Sequence, residues 1–233
     1  MLRHQAYLVA GTDTGIGKTF ATCALLHRAR SQGLTTLAMK PVAAGVDAEG
    51  RNEDVERLIA ASSVPAAPEL VNPYCFAEPV APHIAAAMEK RTIAADAIVA
   101  ACRNLTELAD LLLVEGVGGF LVPLGDHLDS ADLARQLALP VILVVGLRLG
   151  CLNHALLTAE AIRARGLTFA GWIANRIDPE MLHWKENVAT LSQRLAAPLL
   201  GVLPWQAAAD PAAVANALSL PRSHARTQTA QFL

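Results

Sequence analysis

The sequence predicts a parallel α/β layer fold, with a mostly parallel central sheet and helices on both of its faces. Three observations lead there. Apolar, β-rich runs alternate with amphipathic helical patterns, the order required by a parallel sheet whose strands are joined through crossover helices. These runs end in polar or glycine-bearing loops, the side on which open parallel sheets keep their ligands. The first strand-to-helix junction carries a glycine loop, Gly11-Thr-Asp-Thr-Gly-Ile-Gly-Lys18-Thr19. Strands are expected near 6–10, 35–39, 111–115, 141–146, 168–175 and 199–203. The stretch 62–82 holds five prolines and no clear period, which marks a loop-rich insertion. One domain spanning 1–218 is expected, followed by a polar, flexible tail over 219–233.

The glycine loop follows the apolar run Tyr7-Leu-Val-Ala10 and precedes the helical-looking stretch 20–27. In that setting it reads as a phosphate-binding loop and makes the fold P-loop NTPase-like. Loop amides and the helix N-terminus direct partial positive charge at a triphosphate, the Lys18 ammonium reaches the β and γ oxygens, and the Thr19 hydroxyl can ligate Mg²⁺. The spacing is unusual in placing five residues between Gly11 and Gly17. A glycine-rich tight turn alone would account for neither Lys18 nor Thr19.

Composition narrows the function. A formal net charge of −2, with Lys and Arg scattered along the chain, provides no electrostatic footprint for nucleic acid. Met1-Leu-Arg-His-Gln leads straight into the first strand with no cleavable apolar segment, and no apolar run is long and helical enough to span a bilayer, so a cytoplasmic protein is expected. Cys23, Cys75, Cys102 and Cys151 lack metal-type spacing and read as free thiols, mostly buried.

Three further charged residues carry chemistry. Lys40 directly follows an apolar strand, where an ammonium is costly unless an anion compensates it. Glu115 ends the most apolar strand of the chain, and Gly116, Gly118 and Gly119 after it allow a ligand close to the backbone. A carboxylate there requires Mg²⁺ or another cation. Asp54, in Arg51-Asn-Glu-Asp54, has the spacing of a helix N-terminal acid favoured by the dipole. On spacing alone that reading is preferred.

Taken with Lys40-Pro-Val-Ala43, Asn72-Pro-Tyr74, Pro82-His83, Val114-Glu-Gly-Val-Gly-Gly119, Leu149-Gly-Cys-Leu-Asn-His154, Gly171-Trp-Ile-Ala-Asn175 and Gly201-Val-Leu-Pro-Trp205, the glycine loop makes the chain resemble the dethiobiotin synthetase family. Eight motifs in register cover roughly nine tenths of the sequence and stop only in the tail. The resemblance implies an ATP-dependent ligase of biotin biosynthesis that joins 7,8-diaminononanoate and CO₂ with MgATP, giving dethiobiotin, ADP and phosphate through a carbamate and a carbamic-phosphoric anhydride. Carried over by position, Lys40, Lys18 and Thr14 are catalytic. Thr19, Asp54 and Glu115 hold Mg²⁺, which reverses the preference at Asp54.

ATP is received by Gly15, Ile16, Gly17, Lys18, Thr19, Phe20, Asp54, Glu115, Gly116, Val117, Gly118, Asn175, Arg176, Pro204, Trp205 and Gln206. Substrate is received by Lys40, Ala44, Asn187 and the helix start Gly150-Cys151-Leu152-Asn153, whose amides take the diaminononanoate carboxylate. An ordinary helix cap by Asn153 is the plainer alternative for that last segment. The family pattern further implies a homodimer with the tail site at the subunit interface, beside Cys151.

Asn175-Arg-Ile-Asp178 also invites a guanine-recognition reading. Arg176 in place of Lys and Pro179 after Asp178 count against it, and an amide at Asn175 suits an adenine edge. Three positions depart from the family pattern. Gly15 stands where some members have glutamate, Ala44 replaces a frequent serine, and Asn187 replaces a tyrosine that closes over the substrate carboxylate from the partner subunit. Trp184 lies one helical turn before Asn187 and could partly substitute. Two other readings remain: an amidating synthetase of the same ATP-dependent class, for which the chain has no room for a glutaminase domain, and a partitioning-type nucleotide switch, whose extra early-loop lysine is missing from Thr12-Asp13-Thr14.

Overall fold

The computed structural model describes residues 4–205 and 210–221. The chain runs β1 (Gln5–Gly11), α1 (Lys18–Ser31), β2 (Thr36–Met39), β3 (Val42–Ala44), α2 (Glu53–Ala61), α3 (Pro68–Val71), β4 (Tyr74–Phe76), α4 (Pro82–Met88), α5 (Ala95–Thr106) and β5 (Leu111–Glu115). It continues through β6 (Pro123–Gly125), β7 (Leu128–Asp129), α6 (Ser130–Leu137), β8 (Val141–Leu147), α7 (Cys151–Ala164), β9 (Phe169–Arg176), α8 (Trp184–Arg194), β10 (Leu199–Leu203) and α9 (Pro211–Val214).

Six strands form one sheet in the order β10-β9-β8-β1-β5-β2, with every pairing parallel. They are the six strands expected from the sequence, each with ends within one residue of its predicted limits. Between β1 and β2 the chain passes over the position later filled by β5, and β8 is added on the other side of β1. The connections therefore diverge at β1, and the crevice beyond its carboxyl end is the topological switch point. The glycine loop leaves from that end.

Side-chain alternation divides the core in two. Leu8, Met39, Val114, Leu143 and Trp172 point to the face covered by α5, α6 and α7. Val9, Ala38, Leu113, Val144 and Ile173 point to the face covered by α1, where Ala21, Leu25 and Leu26 are fully buried. Because the side-chain period of a strand is two, the next residues of the second set, Lys40, Glu115 and Asn175, emerge on the α1 side at the strand ends. The pleat alone thus aims two charges and an amide at the start of one helix.

Two short pairings were not foreseen. β3 pairs with β4 in parallel inside the proline-rich region, and β6 pairs with β7 in an antiparallel hairpin. Strands of two or three residues are too short to show a period. Around 219, where the tail is expected to start, Leu218 is buried, Ser219 N–H donates to the Leu200 carbonyl at 2.7 Å, and Leu220 packs on the α1 side. Residues 222–233 lie outside the described residues.

Candidate active site

The loop after β1 is shaped by its glycines. Gly15 and Gly17 have φ of 70° and 79°, in the left-handed region that side chains disfavour. Gly17 is also crowded, since a Cβ there would lie 2.2 Å from Asn175 Nδ2. The N-terminus of α1 has no side-chain cap and no acidic residue in its first turn. Its amides remain available to an anion, with no acidic residue of the helix's own first turn to compete. Lys18 folds back over the loop, its Nζ donating to the Asp13 carbonyl at 2.9 Å. Burial, and then the neighbouring Lys40 charge, lower the Lys18 ammonium to about 8. Thr14 lies across from the loop after β5, its hydroxyl 3.5 Å from where a Cβ on Gly118 would stand.

Beneath the loop, Lys40, Asp54, Glu115 and Thr19 form one cluster. Lys40 Nζ donates to Glu115 Oε1 at 2.6 Å and to Asp54 Oδ2 at 3.0 Å. Thr19 Oγ1 donates to the same Glu115 oxygen at 2.7 Å. Lys40 and Glu115 are 4% and 0% exposed, so neither charge is solvated by water and each depends on its partners. Burial alone would lower Lys40, but the Glu115 and Asp54 carboxylates outweigh it and raise the ammonium above its ordinary value. Burial would raise Asp54, and Lys40 reverses this to hold the carboxyl below its ordinary value. The anion that Lys40 requires is therefore supplied by the protein itself.

Asp54 has a place both in a helix start and in the charged cluster. It lies in the first turn of α2, behind the N-cap Asn52, and it also reaches the cluster. Asn52 Nδ2 donates to the Gly45 carbonyl at 2.7 Å, which ties α2 to the end of β3, where Ala44 stands. Thr22, one turn after Thr19, was not singled out from the sequence. Its Oγ1 donates to Glu115 Oε2 at 2.8 Å. The i, i+3 spacing from Thr19 was the available signal. The donor set of Thr19, Asp54 and Glu115 is entirely hard oxygen and fits a magnesium ion completed by phosphate oxygens and water. Among the described residues, no group of three His, Cys, Asp or Glu side chains forms a separate metal site.

Asn175 is buried at the end of β9, and its Nδ2 donates to the Ile16 carbonyl at 2.8 Å. One amide hydrogen thus holds the glycine loop, leaving the second hydrogen and Oδ1 for a ligand edge. Arg176 turns away to lie 4.8 Å over the Trp184 ring. Trp184 is thereby engaged with Arg176, while it shares a face of α8 with Asn187 three residues on. Phe20 is half-buried on α1, Gly116 N–H donates to the Val9 carbonyl at 2.9 Å, and Val117 packs against the core. Pro204 and Trp205 are exposed after β10, and Gln206 lies outside the described residues.

At the start of α7 the N-cap is Gly150, with φ 93° and no side-chain cap bond. Asn153 is thus not the helix cap; the Cys151 amide donates to the Arg148 carbonyl at 3.0 Å, and the amides of Leu152 and Asn153 open onto a terminus free of acidic residues in its first turn. Asn187 reaches this point within one protomer: Cys151 Sγ donates to Asn187 Oδ1 at 3.8 Å, and Asn187 Nδ2 donates to the His183 carbonyl at 2.9 Å. An Arg148–Asp13 ion pair links the loop before α7 to the glycine loop. An apolar cavity, lined by Leu8, Ala10, Leu124, Leu133 and Leu137, opens under α6. Pro41, Val42, Glu115, Gly116 and Val117 also line it, so the cavity adjoins the ends of β2 and β5 where the cluster sits.

A parallel sheet with a glycine loop at its switch point, an uncapped helix N-terminus and a buried lysine-carboxylate cluster defines a P-loop nucleotide-binding protein. An AAA domain family profile matches residues 5–213. The ATP-dependent dethiobiotin synthetase of Aromatoleum aromaticum is 60% identical over 224 residues, covering 95% of this chain and 100% of that protein. That of Nitrosospira multiformis is 52% identical over 218 residues, covering 94% and 96%. Among solved structures, a chain of the Aquifex aeolicus MinC:MinD cell division complex superposes with a TM-score of 0.55 at 16% identity, covering 87% of this chain and 82% of that one. The latter likeness concerns fold alone. The chain belongs to the ATP-dependent dethiobiotin synthetase family, whose members are ligases.

Proposed function

We propose that this site makes the cyclic urea of dethiobiotin from 7,8-diaminononanoate, CO₂ and MgATP. One observation carries the assignment of roles: Lys40, Asp54 and Glu115, from three separate segments, converge with Lys18 and Thr19 at the N-terminus of α1. One substrate amine attacks CO₂ and loses a proton, giving a carbamate. A carbamate oxygen attacks the γ-phosphorus and ADP leaves. The second amine then attacks the carbamoyl carbon, and phosphate departs with the oxygen that bridged carbon and phosphorus.

In this scheme the amides of Gly15, Ile16 and Gly17 and the first turn of α1 bind the phosphates. Lys18 and Lys40 hold γ-phosphate and carbamate together and stabilise the charge that shifts between them. Thr14 offers a hydroxyl to the reacting groups. Thr19, Asp54 and Glu115 would hold magnesium, which when bound neutralises phosphate charge and favours the ADP leaving group. Phe20, Gly116, Val117 and Gly118 wall the nucleotide. Asn175 reads the adenine edge with its free amide hydrogen and Oδ1, and Arg176, Pro204, Trp205 and Gln206 border the base. Ala44 lies along the substrate, whose carboxylate meets the helix start Gly150-Cys151-Leu152-Asn153 through the open amides of Leu152 and Asn153, with Asn187 beside them.

The protein acts as a cytoplasmic homodimer without a nucleic-acid partner. Support for this comes from the net charge of −2, the absence among the described residues of any helix able to cross a membrane, and the exposure of Leu149 beside the substrate-tail site. The test is ADP formation with diamine and bicarbonate supplied separately and together. ADP should accumulate only when both are present. Vigorous hydrolysis with neither would overturn the ligase reading and favour a nucleotide switch.

A further inference from the structure

Glu115 is wholly buried, and its two oxygens have different donors. Oε1 accepts from Thr19 at 2.7 Å and from Lys40 at 2.6 Å. Oε2 accepts from Thr22 at 2.8 Å, and among the described residues it has no other donor. Thr22 is 0% exposed and takes no part in the reaction as laid out above. Its Oγ1 also lies 2.9 Å from the Lys18 carbonyl. A threonine hydroxyl has one hydrogen for these two acceptors. The carboxylate is the stronger one, and the carbonyl already has the helical N–H four residues on as a partner.

We propose that Thr22 is a positioning residue whose hydroxyl holds Oε2 of Glu115 against α1, so that Oε1 is presented to Thr19, Lys40 and the nucleotide's metal. The terminal torsion of a glutamate is broad and about two-fold, so packing against the side chain does not by itself choose the carboxylate plane. A hydrogen bond to one oxygen does. The arrangement is the carboxylate counterpart of the outer partners that orient metal-binding side chains. Thr19 and Thr22 are three residues apart on one helix face, so a single rigid element carries both a metal-facing hydroxyl and the hydroxyl that aims the carboxylate. This inference rests on the reading of Glu115 as a magnesium-holding residue.

The experiment compares Thr22→Val, Thr22→Ala and Thr22→Ser with the wild type. Manganese binding to the enzyme–ADP complex is titrated by electron paramagnetic resonance, with ADP affinity in chelator and the Mg²⁺ dependence of turnover measured alongside. Val and Ala are expected to weaken manganese binding about tenfold or more, to leave chelator-state ADP affinity unchanged, and to raise the Mg²⁺ needed for half-maximal rate. Ser should restore all three. If Thr22→Val does not fold, the Ala and Ser pair still isolates the hydroxyl. Wild-type manganese affinity in Val or Ala would overturn the proposal, as would a Ser variant as impaired as Ala, since the methyl group would then be what matters. A wild-type complex that binds manganese no better than free ADP does would overturn the metal reading of Glu115 itself, and would be visible before any substitution.

Discussion

Nucleotide binding should draw protons from solution near pH 8. The cause is Lys18, whose ammonium is lowered from 10.5 to about 8 by burial and by Lys40. Phosphate oxygens placed beside it favour the charged form and return the group to its ordinary range. The protons taken up per site equal the fraction of neutral lysine in the empty enzyme: about 0.1 at pH 7, about 0.5 at pH 8 and about 0.9 at pH 9. Above pH 8, each further unit weakens binding by about 1.4 kcal/mol, a factor of ten. The sign for the empty enzyme is opposite. A lysine depressed in the folded state leaves the unfolded chain binding more protons between pH 8 and 10.5, so Lys18 makes folding more favourable as pH rises through that window. Calorimetry of ADP binding in two buffers of different ionisation enthalpy measures the uptake. Lys18→Arg, which stays charged, should bind nucleotide with no uptake. Uptake absent from the wild type at pH 8 and 9, or identical in Lys18→Arg, would refute the argument.

Lys40→Met removes the ammonium that pairs with the buried Glu115 carboxylate. Turnover should fall by orders of magnitude, and the empty enzyme should lose about 3–5 kcal/mol, seen as a lower Tm that Lys40→Met combined with Glu115→Gln largely recovers. An unchanged Tm would show that the pair carries no stability. Asp54→Asn and Glu115→Gln should each raise the Mg²⁺ needed for half-maximal rate, and the double variant should lose less than the product of the singles because both act on one ion. If Asp54→Asn altered thermal stability alone, its role would be confined to the start of α2. Leu149 is 97% exposed beside the tail site. If the proposed homodimer forms through this face, Leu149→Asp should shift the protein toward monomer in sedimentation and raise the KM for diamine, whereas an unaltered sedimentation profile would overturn that placement of the interface.

The main sheet was legible because its six strands are apolar runs of four residues or more with polar ends, long enough for pattern to show. The same ends exposed Lys40, Glu115 and Asn175 as candidates, since a charge or amide closing a buried strand needs a reason to be there. Their common direction depends on strand register, and it became plain only when the pleat placed them on the α1 side. Asp54 was ambiguous because a helix-start acid and a site carboxylate have the same local spacing, and in the fold it lies both in a helix start and in the charged cluster. Thr22 was missed because its i, i+3 spacing from Thr19 gains meaning only once Glu115 is brought to it across the sheet. The Cys151–Asn187 contact and the Arg148–Asp13 pair were hidden for the same reason, as each joins segments that only tertiary packing makes neighbours.

The central claim, that a carbamate oxygen takes the γ-phosphoryl group at the Lys18–Lys40 site, is tested most directly by following oxygen. With diamine, MgATP and freshly supplied oxygen-labelled CO₂, a single turnover is quenched and the released phosphate analysed by mass spectrometry. One labelled oxygen per phosphate is expected, delivered when the second amine expels phosphate from the anhydride, together with dethiobiotin as product. Unlabelled phosphate formed alongside dethiobiotin would contradict it, because the phosphoryl group could not then have been carried on the oxygen of CO₂.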